Sequence, residues 1–169
     1  GDLPSFTALN AGNAPVTATI TVTPSFENGS PSCTGPSKSF SILVNPTPQI
    51  SCSAAQSVCS GAPTAAVALN STVAGTDFSW SAVCPVGSIN PCPIAPGTVN
   101  PIPIMNFMNL TDLQQSVTFT INSSYAGCTG SSATHTVTVN PSPTVTNWPL
   151  EQTICSGLTS TPVNLTSTV

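Results

Sequence analysis

Cysteine is the residue type in this chain with the greatest capacity for covalent chemistry. Seven cysteines occur among 169 residues, beside one histidine, five acidic residues and a single lysine or arginine. No two of them have the Cys-x-x-Cys spacing that is typical of a zinc site, so we expect no metal. So many cysteines in a chain this poor in charge favour structural disulfides in an oxidising, extracellular compartment.

Residues for acid-base or nucleophilic catalysis are scarce. His135 is the one available base for a Ser-His-Asp or Cys-His arrangement, and it falls at an inward position of a predicted strand. The carboxylates stand singly, without a pair for acid-base work or an Asp-x-Asp run for calcium. They are Asp2, Glu27, Asp77, Asp112 and Glu151. We therefore expect no catalytic residue and no cofactor, and predict that the protein is not an enzyme.

Charge and hydropathy exclude two classes of partner. The net charge is -4, and one cationic side chain cannot form the basic surface that nucleic acid or anionic lipid requires. No stretch approaches the ~20 consecutive apolar residues of a membrane-spanning helix. We expect neither a nucleic-acid partner nor membrane insertion.

The chain repeats itself with a period of about 95 residues. Two motifs recur at a distance of 95 positions, and two others recur at 96. The first two are Cys-Thr-Gly at 33–35 and 128–130, and Val-Asn-Pro-[Thr/Ser]-Pro at 44–48 and 139–143; the others are Cys-Ser-Gly at 59–61 and 155–157, and Leu-[Asn/Thr]-Ser-Thr-Val at 69–73 and 165–169. A fixed period of this size predicts an array in which each repeat is one folding unit.

The register of the repeat divides the chain into three parts. Residues 49–143 form one complete repeat, residues 1–48 the C-terminal half of the repeat before it, and residues 144–169 the opening strands of the next. The chain is therefore expected to be a section of a longer array of domains. The two outer parts do not complement each other, because neither contains a counterpart of residues 74–98.

The secondary structure is predicted to be almost entirely strand. Apolar residues alternate with threonine over residues 16–23, the period-2 pattern of a half-buried strand, and a second such strand covers residues 40–44. Gly35 and Gly130 are predicted to lie in the turns that precede the strand at residues 40–44 and its counterpart at residues 135–139. Short strands with turn signals every 8 to 12 residues indicate an all-β, immunoglobulin-like sandwich. Its predicted core contains Trp80, Phe119, Ile121, Val137 and Val139; the alternative role for Trp80 is stacking against a ligand.

Four segments resemble a known family. They are residues 3–10 (Leu-Pro-Ser-Phe-Thr-Ala-Leu-Asn), 14–24, 44–48 and 154–157. They are similar to the PKD-like repeat of giant Bacteroidota surface proteins, such as the SprB-type gliding adhesins. The complete repeat departs from the usual pattern between Cys84 and Pro101. The resemblance implies export by the type IX secretion system, display at the cell surface, and adhesion or gliding motility.

The cysteines are interpreted as partners in structural disulfides. Cys84 and Cys92 bracket a proline-rich loop and could close it. In an immunoglobulin-like topology Cys59 and Cys128 would lie at opposite ends of a strand of ~30 Å, too far apart for a disulfide, so Cys59 would join the next repeat's counterpart of Cys128. A bond between Cys59 and Cys128 within the repeat stays an alternative if the strand order differs. The remaining candidates are Cys33, Cys52 and Cys155; because seven is odd, at least one thiol lacks a partner here.

These features favour a structural function. We expect a stalk or filament segment of a long surface adhesin, whose partners are the neighbouring repeats, with lateral self-association into fibres and surface polysaccharide as further partners. Two prolines at each junction, in 45–48 and 140–143, predict a stiff joint. The alternatives are a polysaccharide- or surface-binding module and a spacer in a large secreted hydrolase.

Overall fold

The all-β class predicted from the alternating pattern is confirmed. A computed structural model describes residues 2–147 and 151–169; Gly1 and residues 148–150, which belong to the predicted outer half-repeats, lie outside the described residues. The described part of the chain contains twelve strands and no helix. It accordingly contains no helix long and apolar enough to cross a membrane.

The strands contain between two and thirteen residues. In chain order they are β1 (Val16–Val22), β2 (Ser25–Phe26), β3 (Cys33–Thr34), β4 (Lys38–Val44), β5 (Ile50–Cys52), β6 (Gln56–Cys59), β7 (Leu69–Ser71), β8 (Asp77–Val83), β9 (Ile89–Asn90), β10 (Met108–Asn109), β11 (Gln115–Tyr125) and β12 (Cys128–Asn140).

The first half-repeat forms a two-stranded antiparallel ladder. β1 pairs with β4 from Val16↔Val44 to Val22↔Lys38, and β2 pairs with β3 beyond the far end of this ladder. The alternation of β-branched residues explains the pairing, because such side chains pack well on a pleated surface. Hydroxyl pairs on the polar face, Thr21 with Ser39 at 2.8 Å, add cross-strand hydrogen bonds.

The complete repeat is built on a four-stranded sheet with the order β6-β12-β11-β8. The edge strand β6 runs parallel to the end of β12, in a register from Val137↔Gln56 to Asn140↔Cys59. A second layer consists of shorter pairings: β9 with β10, and single bridges that join Pro63 to Asn106 and Val67 to Ile102. The two layers form the immunoglobulin-like sandwich.

The core lies between the two layers, and the structure places all five predicted core residues in it. Trp80 is 5% exposed, and Phe119, Ile121, Val137 and Val139 are each 2% exposed or less. The second layer contributes residues that periodicity did not single out, because its strands are too short for a readable pattern. They include Ile89, Ile102 and Phe107.

Trp80 organises the centre of this core. Its indole lies edge-on to Phe119 with the ring centroids 5.9 Å apart, and its Nε1 donates to the carbonyl of Val99 at 3.2 Å. The backbones of Trp80 and Gly97 exchange two hydrogen bonds, so the indole passes directly over Gly97. A Cβ atom on Gly97 would overlap the ring. The buried indole therefore requires glycine at position 97, and the ring is not available for stacking on a ligand.

The prediction that Gly130 lies in a turn is wrong, whereas Gly35 lies in the predicted connection before β4. The turn between β11 and β12 consists of Ala126 and Gly127, whose φ angles are 47° and 82°, whereas Gly130 lies within β12. Gly35 lies between β3 and β4, where its N–H donates to the carbonyl of Pro24. Gly130 is required by a close approach, because a Cβ atom there would meet the hydroxyl of Ser123 and the carbonyl of Pro48.

The described chain divides into two compact units. One contains residues 2–51, 70–78 and 122–132, and includes the β1–β4 ladder and the junction before the complete repeat. The other contains residues 52–69, 79–121, 133–147 and 151–169, and includes the core around Trp80.

Candidate functional site

The single histidine is a core residue held by neutral partners. His135 is 1% exposed, its Nδ1 lies 3.0 Å from the carbonyl oxygen of Ser53, and its Nε2 lies 3.4 Å from Nε2 of Gln56. Because a carbonyl only accepts, the network assigns the proton to Nδ1, and Nε2 accepts from the Gln56 amide. Both ring nitrogens are thus engaged, and neither faces a nucleophile.

The carboxylates lie on the surface. Asp2, Glu27, Asp77, Asp112 and Glu151 are all exposed. Among the described residues, no group of three histidine, cysteine or acidic side chains converges in a way that could hold a metal ion.

One disulfide forms within the complete repeat. Cys84 and Cys92 are bonded, with their Cα atoms 6.2 Å apart, and close the proline-rich loop after β8. The other five thiols are unbonded in the described structure: Cys33, Cys59 and Cys155 are exposed, and Cys52 and Cys128 are half-buried. Cys52 donates to the carbonyl of Thr134 at 3.5 Å, and burial raises the pKa of its thiol.

Strand β12 separates the two recurring cysteines of the complete repeat. Cys128 is its first residue, whereas Cys59 is paired with Asn140, its last. A strand of 13 residues is about 40 Å long at ~3.3 Å per residue, and a disulfide requires Cα atoms within ~7 Å. The strand order therefore excludes a bond between Cys59 and Cys128 of the same repeat.

The junction before the complete repeat is packed and hydrogen-bonded. Pro46 and Pro48 are fully buried, and the carbonyl of Pro48 accepts from the N–H of Ser131 at 2.9 Å. Asn45 Nδ2 donates to the carbonyl of Ala126 at 3.5 Å, in the turn between β11 and β12. The linker thus lies against the hairpin of the repeat that follows it.

A polar cleft of about 490 Å³ opens beside this junction. Its walls are the loop at residues 10–13 and the side chains of Thr47, Gln49 and Thr72. Amides and hydroxyls line it, without a charged or aromatic side chain. Such a lining could hydrogen-bond a neutral polar group, but it lacks the stacking surface that aromatic rings provide.

A glutamine clamp occurs in two repeats and was missed by the sequence analysis. Gln56 Nε2 donates to the carbonyl of Ala65 at 3.1 Å, while its Oε1 accepts from the N–H of Ala65 at 2.7 Å. Gln152 makes the same two bonds to Thr161, at 3.0 and 3.1 Å. The signal was present, because positions 56 and 152 differ by 96, the same offset as the Cys-Ser-Gly motif that follows each glutamine.

An asparagine anchor also occurs twice. Asn109 Nδ2 donates to the carbonyl of Val139 at 2.9 Å, and Asn10 Nδ2 donates to the carbonyl of Val44 at 2.8 Å. Each amide also binds its own loop, through the carbonyls of Leu113 and Ala14 respectively. The repeat aligns these two asparagines, but only the structure shows that they fix the ends of β12 and β4 in the same manner.

Comparison with known proteins agrees with this architecture. The family model for the PKD-like domain matches residues 56–143, more than half of the chain. The chain belongs to the PKD-like domain family. No curated protein and no solved structure matches it. The matched residues include the four-stranded sheet, the Cys84–Cys92 disulfide and Trp80.

Membership in the PKD-like family indicates the type of module that the chain represents. PKD-like domains are typically non-catalytic modules, and the disulfide together with this family indicates an extracellular domain. The chain is thus consistent with an extracellular module of a structural or adhesion type.

Proposed function

We propose that this chain is a stalk segment of a long, repetitive cell-surface adhesin that acts in surface adhesion or gliding motility. The observation that carries the proposal is the buried junction. Pro46 and Pro48 are both fully buried, and the linker is bonded through Pro48 to Ser131 and through Asn45 to Ala126. A linker whose φ angles are restricted by proline and whose backbone is also packed holds its neighbours at a fixed angle.

A chain of such joints transmits force instead of absorbing it. The longest strand of the complete repeat contains 13 residues, so each stacked domain would add about 40 Å to the stalk. In this arrangement the repeats hold a distal binding tip away from the cell. The low charge, -4 over 169 residues, limits repulsion between adjacent stalks and suits lateral bundling into fibres.

The route to the surface follows from the resemblance to gliding adhesins. We propose export by the type IX secretion system and display on the outer surface. The Cys84–Cys92 disulfide supports an oxidising destination. Antibodies against residues 49–143 should label intact, unpermeabilised cells, and labelling that appears only after permeabilisation would contradict surface display.

A domain-replacement experiment tests the stalk function directly. In cells that make the full-length protein, the PKD-like array is replaced by the same number of unrelated immunoglobulin-like domains joined by two-proline linkers. A matched variant carries the same domains joined by flexible Gly-Ser linkers. If the array serves as a stiff spacer, the first replacement retains adhesion or gliding and the second loses it.

Two results would overturn this proposal. Loss of adhesion in both replacements, together with binding of the purified chain to surface polysaccharide, would identify the repeat as the binding module itself. A catalytic domain in the same open reading frame, with no effect of either replacement on adhesion, would identify it as the spacer of a secreted hydrolase.

A further inference from the structure

Strand β4 has one free edge among the described residues. Strands β4 and β12 are equivalent in the repeat, since Val44 and Val139 lie 95 positions apart and accept the same bond from Asn10 and Asn109. β12 carries β6 on its outer edge, whereas β4 pairs only with β1 among the described residues. An open edge of this kind is a template for one further strand.

The complete repeat shows which strand fits that edge. β6 has the sequence Gln-Ser-Val-Cys, continues into Ser60-Gly61, and runs parallel to β12. Transferred to β4, the same register places the glutamine of an incoming strand beside Ile42, its valine beside Val44 and its cysteine beside Asn45. Asparagine is also retained at the equivalent position, as Asn140 at the end of β12 and Asn45 directly after β4. Asn140 donates to the carbonyl of Val58 at 3.3 Å, and Asn45 could do the same for the incoming strand.

The incoming cysteine would then lie close to Cys128. Parallel strands are separated by ~4.8 Å, so this cysteine would be adjacent to Asn45. Asn45 already contacts the carbonyl of Ala126, two residues before Cys128. Cys128 is half-buried at the start of β12 and has no bonded partner in the described structure. The junction thus brings the end of one repeat to the turn that precedes the recurring cysteine of the next.

We propose that the edge of β4 accepts, in parallel, a Gln-x-x-Cys-Ser-Gly strand from the N-terminal half of a PKD-like repeat, and that the cysteine of this strand forms a disulfide with Cys128. Each recurring Cys-Ser-Gly cysteine is then linked to the Cys-Thr-Gly cysteine of the following repeat. Closing the bond from two thiols releases two protons and two electrons, which a disulfide oxidant takes up by thiol–disulfide exchange. The inference concerns how repeats connect and does not depend on what the surface protein adheres to.

The test uses the whole chain and a peptide with the sequence of residues 53–63. The peptide cysteine is activated as a mixed disulfide with thionitrobenzoate. The Cys128 thiolate attacks the peptide sulfur, the bond between that sulfur and thionitrobenzoate breaks, and coloured thionitrobenzoate leaves with the electron pair, so no further oxidant is needed. Peptide mapping by mass spectrometry then gives the ratio of labelling at Cys128 to labelling at the exposed Cys33.

Docking on β4 should raise that ratio at least about tenfold over the ratio obtained with the thionitrobenzoate mixed disulfide of glutathione, because a bound strand holds its sulfur near Cys128 at a high effective concentration. A control peptide exchanges the residues equivalent to Ser57 and Val58, which turns the valine to the opposite face of the strand. It should give the glutathione ratio. An excess of the first peptide with serine in place of cysteine should lower the enhancement.

Three labelling outcomes would overturn the proposal. These are an unchanged ratio, an equal enhancement with the control peptide, and preferential labelling of the exposed Cys59 or Cys155. A Cys128→Ser variant that still releases thionitrobenzoate at the full rate would do so as well. Circular dichroism of each labelled product confirms that the chain remains folded during the reaction, so that labelling reports on the native junction.

Discussion

The β1–β4 ladder and its counterpart in β11 and β12 have nearly the same pattern but opposite burial. Val16 is 54% exposed, whereas Val117, its counterpart, is 0% exposed; Phe40 is 46% exposed, whereas His135 is 1% exposed. Both ladders are antiparallel, and in each of them an asparagine anchor binds the end of the second strand. The comparison shows that alternation specifies pairing and face, while burial depends on whether a second layer covers that face.

The two junctions likewise have the same local hydrogen bond but differ in how far their prolines are buried. Gln49 and Thr72 bond to each other in one repeat, and their counterparts Thr144 and Thr168 do so in the next, with N–H to hydroxyl distances of 3.1 and 3.2 Å. Pro46 and Pro48 are nevertheless buried, while Pro141 is half-buried and Pro143 exposed. A hairpin like that of residues 126–131 covers only the first junction within the described chain. Four predictions follow from these contrasts.

The largest effect is expected at Trp80, which has no counterpart in either outer part of the chain. Trp80→Ala should destabilise the complete repeat by ~3 to 5 kcal/mol, because the cavity between the sheets cannot collapse. Gly97→Ala should also be strongly destabilising, since its Cβ atom would overlap the indole. Urea denaturation followed by circular dichroism measures both. Val83→Ala, on the same strand at 71% exposure, is the control. A loss below about 1 kcal/mol for Trp80→Ala would place the ring on the surface.

A matched pair of isoleucines measures the difference between the two ladders directly. Ile121→Ala should lower the free energy of unfolding by ~2 to 5 kcal/mol, because Ile121 is fully buried. Ile20→Ala, its counterpart in β1, should cost below about 1 kcal/mol. Equal losses in urea denaturation would mean that the β1–β4 face is covered in solution, for example by a second copy of the chain, and analytical ultracentrifugation would then detect the dimer.

The glutamine clamps provide a smaller contrast. Gln56→Ala should cost ~1 to 3 kcal/mol, because it removes two bonds to Ala65 and leaves Nε2 of the buried His135 without its donor. Gln152→Ala should cost less than about 0.5 kcal/mol, since Gln152 is exposed and its two backbone partners can bond to water. Thermal and urea unfolding of both variants test this ranking, and a larger loss for Gln152→Ala would reverse it.

The smallest effect concerns the reactivity of Cys52. Burial raises the pKa of its thiol, so at neutral pH it contains less of the reactive thiolate than an ordinary cysteine. Alkylation by iodoacetamide should therefore be slow at neutral pH and should accelerate as the pH rises toward the raised pKa. The same residue in urea, where the burial is lost, is the control. Equal rates at neutral pH in the folded and unfolded chain would contradict this prediction.

The class of fold could be predicted, because it depends on local patterns. Alternation identified the long strands, and the five predicted core residues lie on them. The part of the second layer around Ile102 and Phe107 was missed because strands of two or three residues have no readable period. Gly97 and Gly130 were also missed as packing residues, since a close approach to Trp80 or Pro48 leaves no trace near the glycine in the sequence.

By itself the sequence determined the repeat, the strand pairs and the side of each strand that is apolar, because these depend on residues a few positions apart. The tertiary structure alone decided which faces are covered, which prolines are buried and which cysteines can meet. Cys59 and Cys128 belong to one repeat, but β12 keeps them at opposite ends, while the linker brings Asn45 to the hairpin before Cys128. The reason is physical: burial and disulfide formation require atoms to meet in space, and only the packed arrangement of strands fixes those distances.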